Sequence, residues 1–123
     1  MKSKKMISFA CKPIIFDELL KCSFGLNKTE YSVFMLLIAR ENEKAEGLSV
    51  SEIAVRLKKE RTVIQKAVKS LFEKKMIKRF QENLENGGYK FSYSPVEKRE
   101  IKERIIETIR GWVSNVESTV TKW

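Results

Sequence analysis

At 123 residues, with 42% hydrophobic and 33% charged side chains, the chain has room for one core plus a peripheral element, and its composition is globular rather than disordered. Histidine is absent, Asp17 is the only aspartate, two cysteines make neither a disulfide scaffold nor a four-ligand zinc site, and no glycine-rich phosphate loop or serine elbow occurs; catalysis, a cofactor and a metal are therefore not expected. The net charge of +9 is uneven, since Leu48 to Pro95 holds eleven Lys and Arg against five Glu, and this points to a polyanion, nucleic acid before an anionic membrane surface.

Met1 to Phe9 reads as a frayed tail or a short strand. Pro13 suits the first turn of a helix whose stripe Ile15, Phe16, Leu19 and Leu20 ends before Gly25, a stop signal. Cys22 falls in its last turn. Cys11 and Cys22 read as small buried hydrophobes, with redox sensing as the competing role. Asn27 with Glu30 has cap logic and opens a helix to about Glu43, whose Val33, Phe34, Leu36, Leu37 and Ile38 make it the expected central core helix. Gly47 then allows a turn, and Leu48 could form one or two residues of strand. No apolar run approaches the roughly 20 residues of a membrane span, so a soluble, cytoplasmic protein is expected.

Ser49 with Glu52 is a capping-box signature, so a short helix should begin near Val50. Val50, Ile53, Ala54 and Leu57 share one face, which Lys58, Lys59 and Glu60 break. A second stripe follows at once in Ile64, Ala67, Val68, Leu71 and Phe72. Arg61, Thr62, Gln65, Lys66 and Lys69 project from the opposite face. Two short helices joined by so short a turn read as a helix-turn-helix, and these donors suit a major groove: Arg for guanine, Gln for adenine, Lys for phosphate. The bland alternative is an ordinary solvated face.

Ile77–Glu82 and Tyr89–Ser94 read as strands about a turn containing Asn86, Gly87 and Gly88. Tyr89, Phe91 and Tyr93 alternate with polar residues, so the three rings are expected on one face of a hairpin, towards the core. Such a hairpin is a wing, and Lys78, Arg79 and Lys90 would contact phosphate or a minor groove. Ser94, Pro95 and Glu97 signal another helix start. Beyond it Ile101, Ile105, Ile109, Trp112, Val116, Val120 and Trp123 form an apolar seam to the last residue. A single winged domain has no face large enough to cover this seam, so dimerisation through a second copy is expected, with folding back onto the same domain as the competing reading.

The order of elements, and the segments FGLNKTEYSVFMLLI, SVSEIAVRLKKERTVIQKAVKSLFEKKMIKR and GGYKFSYSPVEKREIKERI, resemble archaeal winged-helix transcriptional regulators of the TrmB-like and MarR-like kind. Relatives often carry Gly where Lys58 and Lys75 stand, and nothing resembles a sugar-binding domain. The resemblance implies a mainly α fold with a small β-hairpin wing. It implies a DNA-binding domain over residues 1–95, with the second helix of the motif in the major groove and the wing beside it, and a C-terminal dimerisation helix over residues 96–123. The expected function is a homodimeric regulator, most simply a repressor, that binds double-stranded DNA in a sequence-specific manner. A winged-helix protein-interaction module within a larger assembly is the alternative.

Overall fold

In the computed structural model, which describes residues 6–123, the chain runs β1 (Met6–Phe9), β2 (Lys12–Ile15), α1 (Phe16–Phe24), α2 (Lys28–Asn42), α3 (Val50–Leu57), α4 (Arg61–Glu73), β3 (Ile77–Asn83), β4 (Tyr89–Pro95) and α5 (Lys98–Lys122). The fold is mainly helical, with a β-hairpin wing and a long C-terminal helix. Two compact units are formed: residues up to Leu26 group with Arg99–Trp123, and Asn27–Lys98 form the other. The expected DNA-binding domain covers residues 1–95, and of the expected tail or strand Met1–Phe9 the part before Met6 lies outside the described residues.

In the Asn27–Lys98 unit, both capping boxes form as expected. The Asn27 side chain accepts from the Glu30 amide at 2.8 Å while the Glu30 carboxylate accepts from the Asn27 amide at 2.9 Å. Ser49 and Glu52 make the same exchange at 3.2 and 2.8 Å. Each box satisfies amides that a helix start leaves without partners. Val33, Phe34 and Leu37 of α2, Ile53 of α3, Ile64 and Leu71 of α4, and Met76 are essentially sealed from solvent and form the core.

Leu48 pairs with Tyr93 in an isolated antiparallel bridge, its amide donating to the Tyr93 carbonyl at 3.1 Å and its carbonyl accepting at 2.8 Å. The preceding residue must be glycine for this approach, because a Cβ at Gly47 would stand 2.4 Å from the Tyr93 carbonyl oxygen. Lys58 and Lys75, where the family resemblance leads one to expect Gly, both adopt left-handed backbone, with φ of 56° and 60°. At Lys58 this conformation ends α3.

The other unit holds β1 and β2, which pair only with each other, and α1, which Gly25 ends at φ 63°. Its α1 and α5 meet where the Arg104 guanidinium lies 4.8 Å from the Phe24 ring centre. Two expectations are corrected by the same physics. Pro13 lies in β2 and Pro95 ends β4, so α1 begins at Phe16 and α5 at Lys98. A fixed φ and a missing N–H suit an edge or terminal strand residue as well as a helix start. The cysteines also differ from expectation, since Cys11, in the turn between β1 and β2, and Cys22 are both exposed.

Candidate nucleic-acid interface

The apolar stripe of α4 turns Ile64, Ala67, Val68 and Leu71 into the core. That fixes the rotation of the helix, and Arg61, Thr62, Gln65, Lys66 and Lys69 are left together on the solvent side, all exposed. Over two helical turns they present two amine heads, a guanidinium, an amide and a hydroxyl, and no carboxylate. Just before α4, Lys58 and Lys59 are also exposed and extend this cationic surface; the polar run that breaks the α3 face was the signal for them.

The wing divides its predicted cations between two faces. Pairing of Ile77 with Pro95, Arg79 with Tyr93 and Gln81 with Phe91 puts those residues on one side, whereas Lys78 opposite Ser94 and Lys90 opposite Glu82 lie on the other. Lys78 stands 5.8 Å from the Phe80 ring centre. Lys90 faces Glu82 across the hairpin and, with Arg40, adds to the forces on Glu52. That carboxyl is held below its usual range first by the Ser49 amide, then by the Ser49 hydroxyl and these two charges, against the opposing effect of burial.

Arg79 points towards α4. Its guanidinium lies 4.3 Å from the Phe91 ring centre and 5.0 Å from that of Phe72, at the end of the α4 stripe. The three aromatics of β4 do not all face the core as expected: Tyr93 is buried, Phe91 is half-buried and Tyr89 is 57% exposed, with Tyr89 and Phe91 in tilted contact at 5.2 Å. The hairpin leaves the body as it runs outward, so only its base can reach the core.

Between α4 and the wing base lies a cleft of about 180 Å³, lined by Val50, Gln65, Val68, Lys69, Phe72, Arg79 and Tyr93. It joins two residues of the predicted reading face to one of the wing. No spacing signal in the sequence announces it, because its walls come from four elements. On the other unit, Ile101 and Ile105 of the predicted dimer seam are buried within the chain, Ile109 is half-buried, and Trp112, Val116 and Val120 are exposed. Among the described residues no cluster of His, Cys, Asp or Glu is suited to a metal ion, and no helix is long and apolar enough to cross a membrane.

Two proteins of Methanocaldococcus jannaschii are similar over nearly the whole chain. The uncharacterized protein MJ1082 is 33% identical over 96% of this chain and 93% of its own, and the uncharacterized protein MJ1503 is 29% identical over 96% and 86%. Among solved structures, a possible transcriptional regulator from Methanosarcina mazei Go1 superposes with a TM-score of 0.84 at 29% identity, covering 98% of both chains. A protein from Sulfolobus tokodaii gives 0.64 at 16% over 80% of this chain and 92% of its own, and MepR of S. aureus, in complex with DNA, gives 0.53 at 17% over 85% and 72%. At those identities the last two establish the shared fold alone. Residues 15–116 match the DnaD N-terminal domain, and the chain belongs to that family.

Proposed function

We propose that the protein is a transcriptional regulator that binds double-stranded DNA in a sequence-specific manner as a homodimer, in the manner of TrmB-like and MarR-like winged-helix proteins, and acts most simply as a repressor. The observation that carries this reading is the exposed α4 face, Arg61, Thr62, Gln65, Lys66 and Lys69, free of carboxylates and flanked by a wing. The M. mazei relative is described as a possible transcriptional regulator, and MepR was solved on DNA with this fold, which supports the same reading. In it α4 enters the major groove, with Arg61 and Gln65 reading base edges and Lys66 and Lys69 at phosphates. Lys78 and Lys90 on the outer wing face meet the flanking backbone.

Pure protein titrated onto pooled genomic fragments at two salt concentrations, with the fragments retained at the higher one sequenced, tests the proposal. A few enriched sites with two-fold symmetry are expected, with affinity falling steeply as salt rises. Binding that is flat across salt, or absent at both, would end it and favour the protein-interaction module. Gln65→Ala should relax base preference at one position by about 1–3 kcal/mol, whereas Lys69→Ala should weaken all sequences alike and reduce the salt slope by about one. The opposite pattern would reverse the two roles.

A further inference from the structure

The exposed apolar residues of α5 are not quite those of the seam visible in the sequence. Ile101 and Ile105 are buried within the chain, and the outward set adds Ile106 and Val113, 46% and 42% exposed. Ile106, Ile109, Val113, Val116, Val120 and Trp123 follow one another at steps of three, four, three, four and three. That is a heptad repeat with Ile106, Val113 and Val120 at its a positions and Ile109, Val116 and Trp123 at d. Ile101 and Ile105, which break it, are buried, while of the repeat itself only Ile109 is half-buried. A strict seven-residue period produces a left-handed supercoil. Gly111 falls at f, the outermost position, where an added Cβ would meet nothing within 4 Å.

Charge decides the direction of the partner helix. Positions flanking the seam pair e with g across a parallel coil, but e with e and g with g across an antiparallel one. The e positions are Arg110 and Glu117, both exposed, and the g positions are Trp112 and Thr119. A parallel pair would set Trp112 beside the partner's Glu117 and form no ion pair. In an antiparallel pair Arg110 meets the partner's Glu117, and two-fold symmetry makes the contact twice. The same alignment sets Ile106 against the partner's Trp123, Ile109 against the partner's Val120 and Val113 against the partner's Val116. Each of these a and d residues then has an apolar counterpart.

We propose that Ile106–Trp123 pairs with the same segment of a second copy as a left-handed antiparallel coiled coil, its two-fold axis passing between Ser114 and Asn115. This rests on the homodimer reading above and adds the register, hand and direction of the contact. At 1.5 Å per residue the shared seam is roughly 26 Å long.

The test uses the full chain with Cys11→Ser and Cys22→Ser, and one further cysteine introduced on α5. A mixture of the Ile109→Cys and Val120→Cys proteins, gently oxidised, is expected to give a disulfide-linked dimer, while Val120→Cys alone stays unlinked. Efficient linking of Val120→Cys to itself, or none in the mixture, would overturn the antiparallel register. In parallel, sedimentation should show Arg110→Glu and Glu117→Arg each weakening the dimer by about tenfold, and the double exchange restoring it to within about threefold. A double variant no tighter than the single ones would overturn the charge argument. A wild-type chain that stays monomeric would sink the homodimer reading itself, so the two failures are distinguishable.

Discussion

Arg79 shows how a charged residue can serve the fold as well as a ligand. It is exposed on the wing, where a phosphate contact is expected, and its guanidinium also lies 5.0 Å from the ring centre of Phe72 at the end of α4 and 4.3 Å from that of Phe91 on β4, contacts that link the wing to the helix. Arg79→Lys keeps the charge and removes the planar group. It should lower stability to urea by about 1 kcal/mol while leaving the salt dependence of DNA binding unchanged. An altered salt slope at unchanged stability would restore the phosphate role. Lys58 is a second case. A side chain at φ 56° is strained, and Lys58→Gly should stabilise the fold by about 1 kcal/mol in the same measurement. A loss of DNA affinity in that variant would show why a lysine is kept there.

At the scale of elements, the two capping boxes are the most local features of the fold, and one of them is coupled to a neighbouring helix. Glu30 is buried, which would push its carboxyl up. Bonds from the Ser70 hydroxyl and the Asn27 amide, with the Lys74 ammonium at 3.5 Å, outweigh that effect and hold it below the ordinary value of 4.5. Because the folded-state value is the lower one, the unfolded chain binds the extra proton. The contribution is therefore complete above pH 4.5 and disappears as pH falls through the lowered value. Glu30→Gln is expected to cost roughly 1–2 kcal/mol near neutrality, with the gap to the wild type closing in acid. A gap that stays constant in urea titrations down to pH 3 would show that packing, not charge, is what Glu30 supplies.

Over the whole molecule, α5 divides along its length. Its first turns bury Ile101 and Ile105 within the chain, and its remaining length leaves an apolar face exposed, the face that the proposed second copy would cover. Ile105→Ala should therefore lower the unfolding stability by about 2–4 kcal/mol. Val116→Glu should leave the fold intact, make the chain monomeric in sedimentation, and reduce affinity for a two-half-site fragment at least tenfold more than for a single half-site. If Val116→Glu unfolds the chain, or Ile105→Ala merely dissociates it, the division of the helix is misplaced.

The sequence by itself determined what depends on neighbours along the chain. Asn27 with Glu30 and Ser49 with Glu52 announced helix starts, the stripe of α4 fixed which side chains are left for solvent, and alternation marked the wing, because each signal is contained within one or two turns or a strand pair. Other sequence signals were ambiguous. Pro13 and Pro95 fit a helix start and a strand equally well, and only their pairing partners, Ser8 across a tight hairpin and Ile77 across the wing, select the strand. Tertiary structure alone decided that Arg79 lies beside the Phe72 and Phe91 rings, that Lys78 and Lys90 share a face without it, and that Cys11 and Cys22 stay exposed. It also decided the exposed face of α5: two apolar faces overlap in the sequence, and which of them stays exposed depends on burying Ile101 and Ile105, an event that periodicity does not encode.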